Sequence, residues 1–452
     1  MKIKQEILSR ERLTQKVTPK NFKYIVGNSL LGFKVDDDFE IVIDDIYHKV
    51  NTGHYHPMRP IGVYSIPKHN LVPRFIPVLT ATDNLLYHYL TKEIEDSLLA
   101  SKPKSVKTFG AYRVLTTAKK KDDDRRKYDF IDIDDISLGK YTVSYSWYPG
   151  WGEFNETVKN YFDRNKKKKV FVKTDIANFY DNIDLRLLEN KVRSCLDDSK
   201  LSIVNVLFKL LQGVNSYSYK YNYQGKGLPQ DETSDCSRLL ANYFLYDFDR
   251  EFNAVSRSFG CMFIRYCDDM IIMCNDKASA EKIIHACAEI LNKSGLSLNS
   301  SKTKVFDSRA KFEKYWMFGE HKKLSDSLKD IKEQAVYDKM QQLILNASKK
   351  ERGFALLKRW ARIYNSKMKN NPILKAKTDR VLPHLSVDVA YKYIKAQPDA
   401  DRKRLLNWLY DKARKSNYSG DLLWFRKLCD LLNDKQLIKK IDKYISSHST
   451  LL

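Results

Sequence analysis

Histidine and cysteine, the common ligands of transition metals, are scarce in this sequence and poorly spaced for metal binding. The 452 residues include nine His and seven Cys, and no two cysteines form a Cys-x-x-Cys pair. Cys261, Cys267 and Cys274 recur at regular intervals within or beside predicted strands, so we interpret them as small core residues rather than zinc ligands. His54 and His56 have no Cys or carboxylate at ligand spacing. The sequence therefore predicts no zinc site.

Long apolar runs are also missing. No run reaches the about 18 residues that a transmembrane helix needs, so we expect no membrane partner. The odd number of cysteines and the lack of a signal peptide are typical of a reducing compartment, and the expected location is the cytoplasm. The C-terminal part contains no His-x-x-x-Asp nuclease pattern, zinc ribbon or integrase-like acidic triad.

Acidic residues are outnumbered by basic ones. The 56 Asp and Glu face 80 Lys and Arg, which gives a formal net charge of +24. Such a surplus indicates a polyanionic partner, because basic surfaces bind nucleic acid by neutralising its phosphates. Aromatic residues make up 12% of the chain and include 28 Tyr, which offer faces for base stacking, although most of these rings are expected in the core.

Two adjacent aspartates between two apolar runs form the most informative pattern. Asp268 and Asp269 separate the apolar residues 261–264 from the apolar residues 270–273. Flanks of this length predict two short strands with the Asp pair at the tip of a hairpin. Two neighbouring carboxylates need a counter-charge, and hard divalent cations prefer carboxylate oxygen. The alternative is an Asp-Asp turn in solvent.

A third carboxylate ends another β-rich run upstream. The β-rich, mainly apolar run at residues 170–174 leads to Asp175, and a helix is predicted from Leu185 to Val192. If the strands are neighbours in one sheet, the three carboxylates could hold two Mg²⁺ ions about 3.5–4 Å apart. For Asp175 alone, the alternative is a helix N-cap or a strand-end turn.

Taken together, these segments resemble the reverse transcriptase family. Asp175 with Phe179-Tyr180 resembles the first palm motif, and Tyr266-Cys267-Asp268-Asp269 resembles the catalytic hairpin. The remaining motifs follow in the family's order: Ile66-Pro67-Lys68 and residues 74–78 for the fingers strands, Gly227-Leu228-Pro229-Gln230 for the nucleotide-contacting motif, and residues 296–303 for the later palm motif. The resemblance covers roughly residues 60–320, and the ordered set is specific although each member alone is weak.

The resemblance implies an α+β right-hand polymerase with fingers, a palm with an antiparallel sheet, a thumb and an α-helical C-terminal extension. The expected domains are an N-terminal extension (1–60), fingers with a charged insertion (61–165), the palm (166–320), the thumb (321–380) and an α-helical C-terminal region (381–452). Residues 119–126 form the charged block of the insertion. We interpret this block as a solvated loop, with a template- or RNA-contacting insertion as the alternative.

The resemblance also implies a role for each candidate site residue. The catalytic residues would be Asp175, Asp268 and Asp269, and the metal ligands Asp175, Ile176, Asp268 and Asp269, around two Mg²⁺ ions or, alternatively, Mn²⁺. The substrate-binding residues would be Lys68, Arg74, Tyr180, Gln230 and Lys302. Lys68, Arg74 and Lys302 would contact the triphosphate, with ordinary surface cations as the alternative for the first two. Gln230 would pack against the nucleotide or template base. Tyr180 would exclude a ribose 2′-hydroxyl, with a core aromatic as the alternative.

One residue departs from the family's pattern. Asp231 stands where the family usually has Gly directly after the Gln of the nucleotide-contacting motif. Gly permits a close approach of the backbone to the substrate, whereas an acidic residue with a Cβ would crowd or repel it. We therefore expect a specialised pocket on an intact scaffold.

The unusual motif and the tail without a nuclease pattern resemble the bacterial defence-associated reverse transcriptases of the abortive-infection and unknown groups. That resemblance implies antiviral defence with a noncoding RNA as template or scaffold. The expected partners are RNA, a DNA product and dNTPs, with a second copy of the chain or a partner protein as further candidates. A retron-type or other retroelement enzyme is the nearest alternative. From other classes, the alternatives are an RNA polymerase and a non-catalytic RNA-binding scaffold.

Overall fold

The computed structural model has an α+β fold. It describes residues 6–19, 21, 22, 25, 38–67, 72–114, 116–119, 137, 138, 141–144, 147–218, 225–230, 235–327, 334–347, 353, 356, 357, 359, 381–385 and 387–447. The chain divides into two compact units. The first draws on Met1–Val63, Ile76–Lys120 and Leu138–Arg309, and the second on Tyr64–Phe75, Lys121–Ser137 and Ala310–Leu452.

Helices make up most of the described chain. In the first unit they are Arg10–Lys16, Phe39–Asn51, Ala81–Ala100, Trp147–Arg164, Phe179–Asn182, Leu185–Ser194, Leu201–Ser218, Cys236–Phe244, Tyr246–Ser258 and Lys277–Asn292, with 3-10 turns at Asp198–Lys200 and Ser300–Lys302. The helix that begins at Arg309 and ends at Trp316 spans the boundary between the units. In the second unit the helices are Phe318–Ser327, Gln334–Ala347, Val387–Lys395, Asp399–Arg414, Ser419–Leu431 and Lys435–Ser447, with a 3-10 turn at Leu382–His384. Within the described residues, none of these helices is both long and apolar enough to cross a bilayer.

The strands form one five-stranded sheet and two smaller ones. They are β1 (Gly62–Pro67), β2 (Pro73–Val78), β3 (Lys107–Phe109), β4 (Thr116–Lys119), β5 (Ser137–Leu138), β6 (Tyr141–Ser144), β7 (Val170–Thr174), β8 (Met262–Tyr266), β9 (Asp269–Cys274) and β10 (Lys304–Phe306). The large sheet has the order β10-β7-β9-β8-β3, and the smaller ones have the orders β1-β2 and β4-β6-β5.

The large sheet is mixed rather than wholly antiparallel. β10, β7, β9 and β8 pair antiparallel, as expected for a palm, whereas β3 pairs parallel with β8. This strand has only three residues, and its pairing partner lies about 150 positions along the chain, so no local pattern could reveal it. The predicted α+β class and the antiparallel pairing of the main strands are confirmed, and β3 adds a parallel strand to the sheet.

The central strands of the sheet are almost wholly apolar because helices cover them. Residues 270–274 of β9 are fully buried, and in β7 only Lys173 is partly exposed. The helices Trp147–Arg164 and Tyr246–Ser258 contact β8, and the helix Lys277–Asn292 contacts β7 and β9. Covered strands of this kind appear in sequence as continuous apolar runs rather than alternating ones. The cysteines at 261, 267 and 274 are buried here, as predicted.

In the second unit, the helix Ser419–Leu431 is the centre of the C-terminal helices. It contacts each of the helices Val387–Lys395, Asp399–Arg414 and Lys435–Ser447. Its first residues also contact β1, from which they are separated by 354 positions: the Ser65 N–H donates to Ser419 Oγ at 3.1 Å, and the Ser419 N–H donates to Ser65 Oγ at 3.3 Å. The C-terminal helices are thereby bonded to β1 at Ser65.

Gly420 permits this close approach. A Cβ at Gly420 would lie 2.6 Å from Ile66 Cγ2 and 2.7 Å from the Ser65 carbonyl oxygen. We therefore expect Gly420→Ala to destabilise the second unit by about 1–3 kcal/mol, the usual cost of overpacking. The measurement is the midpoint of urea unfolding followed by circular dichroism.

Gly319→Ala is the matched control for Gly420→Ala. Gly319 is also helical, but a Cβ there would meet no heavy atom within 4 Å. The control should keep the midpoint or raise it slightly, because Ala restricts the unfolded chain by about 0.4–1 kcal/mol. Equal midpoints for the two variants would contradict the tight contact at Gly420.

Candidate active site

The two-residue turn between β8 and β9 carries Asp268. Tyr266 pairs with Asp269, so Cys267 and Asp268 form the loop and Asp269 begins β9. Cys267 has a φ of +49°, in the left-handed region that tight hairpin turns require at a central position. The two predicted strands and the Asp pair at their tip are present as the sequence indicated.

Asp175 lies at the neighbouring strand end. Thr174, the last residue of β7, pairs with Met270 of β9, so one step further Asp175 faces Asp269. Residues directly opposite each other on antiparallel strands project from the same face of the sheet. Asp175 is 2% exposed, whereas Asp268 and Asp269 are half-buried. The register therefore brings the three predicted carboxylates together.

The carboxylates perturb one another. Burial, and then the negative charges of Asp269 and Asp175, raise the pKa of Asp268 to about 6. Burial also raises the pKa of Asp175, and Asp269 adds to this shift, while the hydrogen bond from Lys302 acts in the opposite direction. Because burial and neighbouring like charges disfavour ionisation, positive charge at the site favours the ionised forms of Asp175 and Asp268.

Two lysines supply positive charge at this site. Lys302 Nζ lies 2.5 Å from Asp175 Oδ2, and Lys173 Nζ lies 3.0 Å from Asp269 Oδ1. The other oxygen of Asp175, Oδ1, is buried, and no hydrogen-bond donor among the described residues reaches it. Within the part of the chain that the structure describes, no group of three or more His, Cys, Asp or Glu is arranged to hold a metal ion.

The donor set nevertheless fits a hard divalent cation. A buried carboxylate oxygen without a partner is costly in a folded protein, and a cation would satisfy it. Ile176 could contribute only its backbone carbonyl, because its side chain is apolar and buried. Two lysines of the described residues pair with these carboxylates, and the arrangement can hold further positive charge at the end of the sheet.

Main-chain hydrogen bonds fix the segments around the carboxylates. The N–H of Asn299 donates to the Asp175 carbonyl at 2.8 Å, and Ile176 forms an antiparallel bridge with Leu298. This pairing places Lys302 beside Asp175. The structure therefore joins the first palm motif to the later one through the backbone.

Main-chain hydrogen bonds also join the segment around Tyr180 to residues 227–230. Tyr180 lies in the short helix Phe179–Asn182, and its carbonyl accepts the Leu228 N–H at 3.0 Å. Gly227, with a φ of +100°, donates its N–H to the Ile183 carbonyl at 2.9 Å. Burial and the nearby Cys267 raise the pKa of Tyr180, so its phenol is close to the turn between β8 and β9. Gln230 ends this described segment and is partly buried.

Some predicted residues are not placed beside the carboxylates. Lys68 and Asp231 lie outside the described residues, as does most of the charged block at 119–126. Arg74 is an exposed residue of β2 and belongs to the second compact unit. Their roles stay predictions.

Sequence reasoning missed two cations at the turn. Lys173 precedes Asp175 by two positions, and the alternation of a strand puts both on one face, so the spacing could have revealed it. Arg265 is a charged residue inside the otherwise apolar β8 and is fully buried. A charge in such a run is itself a signal, because Arg is almost never fully buried without a partner.

Comparison with known protein families gives a match for almost half of the chain. Residues 104–317 match the family model "Reverse transcriptase (RNA-dependent DNA polymerase)". The match indicates an RNA-directed DNA polymerase, which is a nucleotidyltransferase, and domains of this family generally use divalent metal ions. No curated protein matches the chain.

Two telomerase structures are similar at low identity. A Candida albicans telomerase in complex with a fragment of telomeric RNA is 11% identical with a TM-score of 0.37, and the alignment covers 86% of this chain and 66% of that one. An apo telomerase from Candida tropicalis is 11% identical with a TM-score of 0.38, over 91% of this chain and 72% of that one. This chain thus spans slightly less than two thirds of the first telomerase.

Proposed function

We propose that this chain, whose residues 104–317 form a reverse transcriptase domain, is an RNA-directed DNA polymerase that extends a primer with dNTPs. The observation that carries the proposal is the buried carboxylate of Asp175, which faces Asp269 and lies beside Asp268 at the hairpin tip. Phosphoryl transfer asks an enzyme mainly for positioning and for stabilisation of charge. Carboxylates fixed at adjacent strand ends meet that requirement.

The proposed cofactors are two Mg²⁺ ions, with Mn²⁺ as the alternative. Asp175 and Asp268 would bind the ions, the Ile176 carbonyl would assist, and Asp269 would support them. When bound, the ions would lower the pKa of the attacking hydroxyl and stabilise the leaving oxygen. The unpartnered Oδ1 of Asp175 supports this assignment, because Mg²⁺ needs only a few protein carboxylates when substrate phosphates complete its ligands.

The two lysines have different roles in this proposal. The Lys302 side chain is 52% exposed, so it would leave Asp175 readily and approach the triphosphate. The Lys173 side chain is 18% exposed and would stay on Asp269. If Lys173 stays bound to Asp269, Asp175 and Asp268 would be the principal metal ligands. Asp269 would then have a supporting role.

The nucleotide pocket would be completed by residues from several segments. Tyr180 would abut C2′ of the sugar and exclude a 2′-hydroxyl, and its link to Leu228 would hold the ring in place. Gln230 would pack against the nucleotide or the template base. Lys68 and Arg74 would bind the triphosphate, Arg as a planar fork and Lys as a point charge.

The proposed partners are an RNA template and a DNA product. A reverse transcriptase domain implies both, and the net charge of +24 supports a polyanionic partner. We further propose a role in bacterial antiviral defence with a noncoding RNA as template or scaffold, in the cytoplasm. Asp231 at the usual Gly position and the α-helical C-terminal region support this role. Sequencing the nucleic acid that copurifies with the chain, and the DNA it makes, would separate this role from that of a retron-type enzyme.

Removing the charge of Asp175 should abolish synthesis. Asp175→Asn takes away a shared cation ligand, so we expect dNTP incorporation to fall by roughly 10³-fold or more, equivalent to several kcal/mol. The measurement is primer extension with Mg²⁺. Asp276→Asn is the control: Asp276 caps the helix Lys277–Asn292 at an exposed position, and Asn caps equally well. Retained synthesis in Asp175→Asn would refute the proposed ligand.

Shortening Tyr180 should relax sugar selection. In Tyr180→Ala, the space beside C2′ would admit a 2′-hydroxyl, and relative use of rNTPs should rise by about 10- to 200-fold, the range that small steric differences give. Tyr180→Phe keeps the ring and should keep the preference for dNTPs. An unchanged preference in Tyr180→Ala would show that Tyr180 is not the gate, and efficient rNTP use by the unsubstituted chain would identify an RNA polymerase instead.

The double variant Asp268→Ala, Asp269→Ala separates the polymerase from a non-catalytic RNA-binding scaffold. For a polymerase, we expect loss of both DNA synthesis and biological activity, with RNA binding retained. The measurements are primer extension, RNA affinity at fixed salt and a phage-protection assay. Biological activity that persists in this variant would favour the scaffold.

A further inference from the structure

We propose that Arg265 is a positioning residue for the turn formed by Cys267 and Asp268. Its guanidinium fixes this turn by a hydrogen bond to the Cys267 carbonyl. The inference rests on the proposed function in one respect, namely that Asp268 on this turn takes part in catalysis. Arg265 lies in β8, directly before Tyr266, and is fully buried. It touches no carboxylate of the proposed metal site, so it would act only through the turn.

The Arg265 guanidinium joins three elements. Nη1 donates to the Cys267 carbonyl at 2.7 Å and to Asn242 Oδ1 at 3.0 Å. Nε donates to Asp249 Oδ1 at 2.7 Å, and Nη2 lies 2.5 Å from Asp249 Oδ2. Asp249, in the helix Tyr246–Ser258, therefore orients the planar guanidinium of Arg265, and the Nη1 donor of this group points at the turn.

The other side of the turn is held by β3 and the residues after it. The Cys267 N–H donates to the Phe109 carbonyl at 3.1 Å, and Asn242 Nδ2 donates to the Ala111 carbonyl at 2.9 Å. A Cβ at Gly110 would lie 2.9 Å from Cys267 Sγ and 2.6 Å from Asn242 Nδ2. Both polar groups of the Cys267 backbone are thus bonded, one to β3 and one to Arg265.

These bonds matter because Cys267 has an unfavourable conformation. A non-Gly residue with a φ of +49° persists only where its surroundings impose it. The Cys267 carbonyl belongs to the peptide unit that joins Cys267 to Asp268. A bond to this oxygen therefore fixes the plane of that peptide, and with it the direction in which the Asp268 side chain leaves the backbone.

Fold stability alone is a weak reason for this arrangement. A buried ion pair is often no more stabilising than well-packed apolar residues of similar volume, because both charges lose their hydration. Arg265 and Asp249 are both fully buried, yet one Arg265 donor is used on the turn. The geometry points to control of the turn as the role of this pair.

Arg265→Lys tests the role on the full chain. A lysine ammonium is a point donor that cannot bond Asp249 at two oxygens and reach the Cys267 carbonyl together. We expect kcat for dNTP addition to fall about 100-fold, the effect of a misplacement near 1 Å, with KM for dNTP within twofold. Arg309→Lys is the matched control, because Arg309 donates to the carbonyls of Asn165 and Lys168 away from the turn. It should keep kcat.

Thiol labelling gives a readout that does not depend on synthesis. Cys267 is 9% exposed and Cys287 is 0% exposed. In Arg265→Lys, we expect alkylation of Cys267 to accelerate at least about 10-fold while Cys287 keeps its rate, as measured by mass spectrometry of the two peptides. Unchanged labelling of Cys267 would overturn the positioning role, because the turn would not have been released. Equal acceleration at both cysteines would also overturn it, because the protein as a whole would have loosened.

Gly110→Ala covers the case in which Arg265→Lys fails to fold. Its Cβ would press on Cys267 and Asn242 while the Arg265–Asp249 pair stays intact, so kcat should fall and Cys267 labelling should rise in the same selective way. Gly53→Ala is the control, since Gly53 also has a positive φ but a Cβ there would have no neighbour within 4 Å. A wild-type chain that makes no DNA would overturn the polymerase assignment, and the labelling results would still decide whether Arg265 holds the turn.

Discussion

Repulsion among three carboxylates at one end of the large sheet is the main electrostatic constraint on the candidate site. The strand register places Asp175 opposite Asp269, and the turn adds Asp268. Burial, and then the neighbouring charges of Asp269 and Asp175, raise the pKa of Asp268 to about 6. Lys173 and Lys302 provide two positive charges from the strand β7 and from the segment that pairs with it. Such a cluster suits the proposed phosphoryl transfer, in which divalent ions and a triphosphate would enter the site together.

The motifs meet through the backbone as well as through side chains. Leu298 bridges to Ile176, Leu228 donates to the Tyr180 carbonyl, and Cys267 donates to the Phe109 carbonyl. Main-chain bonds of this kind do not depend on residue type. Segments separated by 48 to 158 positions can therefore keep one geometry while their side chains vary.

The sequence predicted the features that produce a pattern within a few neighbouring residues. Continuous apolar runs predicted β7, β8 and β9, and the aspartates at their ends followed from the same pattern. The sequence could not predict long-range pairings. The three residues of β3 are too few to be recognised as a strand. Nothing near Ser65 indicates that Ser419, 354 positions away, will form a hydrogen bond with it. The partners of Arg265 were hidden for the same reason, since Asp249 and Asn242 lie on helices whose packing the sequence does not specify. The family match over residues 104–317 supports the polymerase assignment, while the defence role still rests on the resemblance.

The cations around the catalytic hairpin differ in how firmly they are held. The Lys302 side chain is 52% exposed, that of Lys173 is 18% exposed, and that of Arg265 is fully buried. A half-exposed ion pair contributes little free energy and exchanges easily, whereas a buried guanidinium with several acceptors is costly to displace. In the proposed reaction, incoming cations and phosphates would replace the exposed charge of Lys302, whereas the buried charge of Arg265 would stay fixed. The difference in burial suits two demands on the proposed site, because its carboxylates would exchange their counter-charges without changing their positions.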